Sequence, residues 1–447
     1  MKTFLYLFHG IVFVDGDGMS RSSISNIKAF LYGYGSLMGI GSSLIVGWLL
    51  YYYSPPEGAN LVPLAPIVAI GIVNLFGRAI DAISDPLIGY WSDITVTRWG
   101  RRKPFILVGF ILMALSQILV WRPLIWGYSI WNAIYAGILL GIFWFGYTAA
   151  IAPYLALLPE IASDDNERIK LVAYQTLFSQ VSLVIGGVIV PILLGMIGFL
   201  NTSLFLTLLA TSSMLPILLG FRERFIASEK IAGRLSLLAA LKVTYTNKVF
   251  IVYLVPTAIL VLSTTMAQIA LPYLVTVCGG LSEADVALFY LPLIATSILT
   301  LPLYKHLASR YGKKKLYMIG IGLFAIPLLL LSATGMFKAM SKIFLIAMGF
   351  LGGFFVTPLL MLPNAFIADI TDIDEKITGY RREAIYFGAQ GFITKSMAGL
   401  ASILTSIFLE YLGYTTGSDL GIRTVYIFSG LVLIPSLLIF SKYPLEK

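Results

Sequence analysis

Arg98-Trp-Gly-Arg-Arg-Lys103 and Arg310-Tyr-Gly-Lys-Lys-Lys315 are one pattern written twice, 212 residues apart, and their repetition decides the fold. Each stands directly after an apolar run, at 62–92 and at 284–306. A looser echo at nearly the same spacing, 209 residues, sets Glu160-Ile-Ala-Ser-Asp164 against Asp369-Ile-Thr-Asp-Ile373. Basic loops alone would follow from membrane orientation, but the shared order Arg, aromatic, Gly, basic would not. The chain reads as two copies of one unit, at 27–221 and 248–443, joined by the polar, charged stretch 222–247 and preceded by a tail at 1–26.

Outward from these loops, apolar runs of roughly 20 residues, enough to cross about 30 Å of hydrocarbon as a helix, recur along the whole chain. They lie near 27–53, 62–92, 104–123, 128–158, 170–198 and 201–221, then near 248–276, 284–306, 315–336, 341–370, 383–412 and 422–442. The chain is 58% hydrophobic and 12% charged, whereas soluble domains are about 45–50% apolar and about 25% charged. With a mean hydropathy of +0.88, the bilayer is its solvent. The predicted fold is an all-α membrane protein, about twelve transmembrane helices in two six-helix halves.

The net charge of +9 does not mark a nucleic-acid binder, because the basic residues sit in connecting loops and form no continuous face. With both termini placed in the cytoplasm, 25 basic residues fall on the inner side and 4 on the outer, which predicts a multi-pass plasma-membrane protein with N and C termini inside. The single cysteine, Cys278, excludes an intrachain disulfide. Met1 to Val14 holds an apolar stretch too short to span and without a cleavage pattern. It is read either as an interfacial segment or as lying upstream of a start at Met19.

Two of the 31 basic residues, Arg78 and Lys395, remain inside apolar spans. Arg78 belongs to Gly77-Arg-Ala-Ile-Asp-Ala-Ile-Ser-Asp-Pro-Leu-Ile-Gly89, where it shares one helical face with Asp81 and Asp85 at i, i+3 and i+7. An ionised carboxylate at mid-membrane costs at least about 2.5–3.5 kcal/mol, so two on successive turns require a compensating cation or a hydrated cavity. They supply hard oxygens for a small cation such as sodium, or a proton-accepting pair. Lys395, in Phe392-Ile-Thr-Lys-Ser-Met-Ala-Gly399, is the opposing charge; a static ion network locking the halves is the alternative role for the same four residues.

The run Arg-x-x-Asp-Ala-x-x-Asp-Pro-x-x-Gly, followed by Asp93 and the Arg98–Lys103 loop, resembles the hallmark of the glycoside-pentoside-hexuronide:cation symporters of the major facilitator superfamily. The resemblance implies alternating access between two lobes, cation and substrate binding by Asp81 and Asp85, and support from Lys395. It covers roughly residues 27–443. It stops where that family grips sugar: an aspartate of helix one falls near Ile40, one of helix four near Ile151 and an arginine of helix five near Thr176. The same family contains sodium-dependent lysophosphatidylcholine symporters, similar to this chain around Gly77–Leu87 and Thr394-Lys395, so a lysolipid stands beside a sugar as expected cargo.

A candidate substrate pocket gathers Tyr147, Tyr154, Thr176, Asn364, Tyr386 and Gln390. At the inner ends, Asp93 with Arg98, Arg101 and Arg102, and Glu160 with Arg168, form a candidate cytoplasmic gate, with Arg310, Lys313 and Asp369 as counterparts in the second half. No cofactor is called for beyond a coupling ion, sodium or a proton; the expected partners are a small-molecule or lysolipid substrate and membrane lipids. Enzymatic chemistry would need a nucleophile with a base, or a metal cluster, and neither is spelled out here. A receptor or scaffold on the same architecture is the non-transport alternative.

Overall fold

The computed structural model describes residues 24–162, 164–221, 223, 246–336, 338–378 and 382–444. The tail with Met1–Val14 and most of the 222–247 linker lie outside the described residues. Among the described residues ten stretches are long and apolar enough to cross a membrane. One of them, Asp165–Gly220, is broken at Gly198 (φ 75°) into two spans. The 17-residue helix Lys103–Leu119 completes twelve.

The first lobe contains α1 (Asn26–Tyr53), α2 (Ile67–Ile94), α3 (Lys103–Leu119), α4 (Ile130–Ala156), α5 (165–197) and α6 (199–220). The second contains α7 (Lys248–Cys278), α8 (Ala287–Tyr311), α9 (Lys313–Leu331), α10 (Ser341–Met361, continued by Pro363–Thr378), α11 (Glu383–Leu412) and α12 (Leu420–Phe440). The expected spans hold, with shifted ends. α2 begins at Ile67 instead of 62, since Pro55, Pro56, Pro63 and Pro66 keep the preceding segment extended or turning. α5 begins at Asp165, capped by the Asp164 side chain on the Glu167 amide.

The repeated loops have a local cause. Gly100 (φ 108°) and Gly312 (φ 87°) both take the left-handed backbone region that other residues avoid. Each reverses the chain before the next helix, with the basic residues that follow starting α3 and α9. The face bearing both loops is called the basic face below.

The lobes meet near the far face and part toward the basic face. Tyr273 on α7 donates to the Ser54 carbonyl at 2.8 Å, and the Tyr51 hydroxyl donates to Glu283 at 3.2 Å, so α1 is joined to α7 and to the turn before α8. One continuous apolar core runs from the first lobe through Leu262–Cys278, Leu409 and Tyr426 of the second. A separate core, with Phe250, Phe366 and Phe440, fills the basic-face half of the second lobe. Between α2 and α11 the packing is tight at Gly71, where an added Cβ would sit 2.1 Å from Ser406 Oγ, and it continues down to Lys395. Gly391 and Gly388, one and two turns beyond Lys395 on the same stripe, face open space, as does Gly89 one turn beyond Asp85. A cleft therefore reaches from the basic face to the Asp85 level.

Candidate ion-coupling site

α2 carries three of the site's charges at helical spacing, and Pro86, directly after Asp85, removes the amide that would close the helix onto the Ala82 carbonyl. α11 brings the fourth charge from the other lobe. Lys395 Nζ donates to Asp81 Oδ1 at 2.8 Å and to Asp85 Oδ2 at 2.7 Å. Arg78 Nη1 donates to Asp81 Oδ2 at 3.3 Å, and its guanidinium carbon lies 3.7 Å from the centroid of the Trp144 ring. The four charges balance. Asp81 is 1% exposed, whereas the Asp85 side chain is 44% exposed and Lys395 23%, so the site is sealed on one side and wet on the other.

Two participants were not expected from the sequence. The Thr148 hydroxyl on α4 lies 3.0 Å from Asp81 Oδ1 and 3.2 Å from Asp85 Oδ1, and its single proton serves one of them at a time. Trp144, one turn earlier on α4, shelves Arg78. The two carboxylates point hard oxygens at the spot that the lysine ammonium fills, and Thr148 bridges them from α4.

Among the described residues, several of the expected gate residues pair within their own lobe. Glu160, 2% exposed, accepts from Arg101 Nη2 at 2.5 Å and Arg102 Nε at 2.6 Å, and Arg102 also reaches Asp93 at 3.6 Å. Three successive amides, of Arg101, Arg102 and Lys103, converge on the Glu223 carboxylate at 2.6, 3.1 and 2.9 Å. Arg168 pairs with its neighbour Asp165 at the surface instead of with Glu160, and Arg98 is exposed at the loop tip. In the second lobe Lys313 holds Asp369 at 2.5 Å, while Arg310 is exposed over the Tyr311 ring. The pairs found among the described residues brace the loops of their own lobe.

The six expected pocket residues separate. Tyr147 and Tyr154 line a cavity of about 300 Å³ between α1, α4 and α5, together with Ile40, Ile151 and Gln175. Thr176 is exposed on α5 one residue from it. Tyr386 is 1% exposed against Phe250 with its hydroxyl on Asn247, and Gln390 bonds Tyr253. Both belong to the interior of the second lobe. Asn364 is exposed at the start of the α10 extension.

The chain matches the family model described as MFS/sugar transport protein over residues 31–446. The chain belongs to this family. It is a multi-pass membrane transporter of the symporter kind, not an enzyme. The sodium-dependent lysophosphatidylcholine symporter 1-A of Danio rerio is 24% identical over 90% of this chain and 83% of its own length. The isoprimeverose transporter of Lactiplantibacillus pentosus is 23% identical over 83% of this chain and 77% of its own. Among solved structures, a D-xylose-proton symporter superposes with a TM-score of 0.67 at 15% identity, over 95% of this chain and 99% of that one, a likeness of fold alone.

Proposed function

We propose that this transporter carries a sugar or glycoside together with sodium, by alternating access, across a plasma membrane whose cytoplasmic side is the basic face. The observation that carries the reading is the Lys395 ammonium held between Asp81 and Asp85 at 2.8 and 2.7 Å. It stands where a coupling cation would, with Asp81, Asp85 and Thr148 as ligands. Two carboxylates with a neutral hydroxyl beside them offer the hard oxygens that suit sodium.

The charge pattern supplies a coupling logic. Without the cation, Lys395 neutralises the carboxylates, so the empty carrier turns without two bare anions in the membrane. Sodium enters, displaces the ammonium and loosens the mid-membrane tie between α2 and α11. The loaded site gains one positive charge, and about 2.3 kcal/mol per 100 mV of inside-negative potential drives it inward.

The test is sodium-gradient uptake in proteoliposomes by Asp81→Asn and Asp85→Asn proteins that insert and fold normally. Both should lose sodium-driven accumulation. Undiminished accumulation by both variants would sink the cation-site assignment, and accumulation driven by a proton gradient alone would replace sodium by the proton.

A further inference from the structure

We infer that the segment joining α3 to α4 at the far face, residues 120–131, is a membrane anchor: it lies in the boundary between head groups and acyl chains of the far leaflet, and its partner is the phospholipid surface. Leu124, Ile125, Trp126, Tyr128, Ile130 and Trp131 are all exposed, Trp126 by 80%. Tryptophan and tyrosine favour that boundary, where a ring can keep one end apolar and the other wet. The patch also continues surfaces that face lipid. Ile130, Ile134 and Ile138 form one exposed stripe of α4, and Ile111, Leu115 and Leu119 one of α3.

Helix length calls for such a segment. α3 has 17 residues, which rise about 25 Å against about 30 Å of hydrocarbon. Tilting the helix only widens the shortfall. The charged loop Arg98–Lys103 holds the start of α3 at the basic-face head groups, so the missing length falls at the far end, on residues 120–131. Irregular backbone at membrane depth must be satisfied by protein, because no water is there to do it. Tyr53 and Tyr52 of α1 donate to the Val120 and Trp121 carbonyls, each at 2.7 Å. The Asn132 side chain, fully buried, accepts from the Ile125 amide at 2.9 Å. Its two amide protons are shared among the Leu64, Ile125 and Gly127 carbonyls at 3.0, 2.9 and 3.0 Å. The Ser129 amide also donates to the Leu64 carbonyl, at 2.9 Å. Peptide groups thus turn inward and large apolar side chains outward, the inverse of a loop made for water.

The internal repeat supplies a control. The matching segment of the second lobe, residues 332–340, follows the longer α9, of 19 residues. It holds Ser332, Thr334 and Lys338 and neither tryptophan nor tyrosine. Of the two matching segments, the first is the one built to enter lipid.

Nitroxide labels on Trp126→Cys and Trp131→Cys test this in proteoliposomes, with Thr416→Cys, exposed in the α11–α12 turn, as the aqueous reference. Each is made in a Cys278→Ala background. Paramagnetic resonance then compares relaxation by oxygen, which concentrates in lipid, with relaxation by a nickel chelate, which stays in water. Oxygen should exceed nickel at 126 and 131, the reverse of the order at 416. Finding the order of 416 at 126 and 131 overturns the inference. Labels that neither reagent reaches overturn it as well, since protein would then cover the patch in place of lipid. A second measurement needs no label. Phospholipids brominated high on the acyl chains should quench tryptophan emission by a smaller fraction in Trp126→Phe than in the unmodified protein, and equal fractions would count against immersion.

Discussion

Replacing Lys395 by alanine should tighten sodium binding. In the unmodified protein an entering cation must dislodge an ammonium bonded to Asp81 at 2.8 Å and to Asp85 at 2.7 Å. Breaking a buried ion pair costs about 3–5 kcal/mol. Here Asp85 is 44% exposed and the lysine 23%, so solvent screening brings the working figure down to about 2 kcal/mol. Lys395→Ala removes that competition, while Arg78, 3.3 Å from Asp81, keeps its pairing with the inner carboxylate. At 1.4 kcal/mol per decade the sodium dissociation constant falls about thirtyfold. Titration calorimetry in detergent reads it directly. Sodium-bound exchange across proteoliposomes should persist while net uptake slows, because the empty carrier must turn with two carboxylates against a single guanidinium. Unchanged or weaker sodium affinity in the variant would refute the idea that the ammonium occupies the cation's place.

Glu160→Gln should lower the Tm in detergent by leaving Arg102, 7% exposed, without its main counter-charge in the interior. The cost is about 3 kcal/mol by the rule for broken buried pairs, and an unchanged Tm would count against it. Gly71→Leu should wedge the α2–α11 seam at Ser406 and shift the population toward the state open at the far face. Cysteine accessibility at positions along the cleft measures the shift, and an unaltered pattern would deny that this seam is a closing surface. Asp419 lies beyond the membrane helices and accepts from Arg423 at 3.1 and 2.7 Å, which holds its carboxyl below the usual range. Its contribution to stability is complete above the unfolded-state value of about 3.9 and disappears as pH falls through the lower folded-state value. Asp419→Asn should therefore flatten the acid limb of a Tm-versus-pH curve, and a superimposable limb would refute it.

The two-lobe architecture was legible because the Arg98–Lys103 loop recurs as Arg310–Lys315, and the charged site because burying a charge in lipid is costly and costly features stand out. Arg78, Asp81 and Asp85 announce themselves as ionised groups in an apolar run, and Lys395 as the lone cation of its span, although 310 residues separate it from Asp85. Thr148 and Trp144 escaped for the opposite reason: a threonine or tryptophan in a membrane helix carries little penalty and occurs for many reasons, so only its neighbours in space reveal a role. Tyr386 and Gln390 misled by the same ambiguity, since polar groups in a span glue helices as readily as they meet solutes. The charged ends of the spans, Glu160 and Arg102 among them, were readable as a group. Whether they join within a lobe or across the cleft depends on which face is open, a property of the conformational state that composition does not encode.

The seal formed by Tyr51, Ser54, Tyr273 and Glu283 also fixes the direction from which this conformation is vulnerable. A blocker shaped to fill the cleft has to arrive by way of the basic face, and a molecule too polar to permeate would be inert when applied to the opposite side. With the basic face in the cytoplasm, as proposed above, screening whole cells with such compounds would overlook every ligand of this conformation, whereas inside-out vesicles would reveal them.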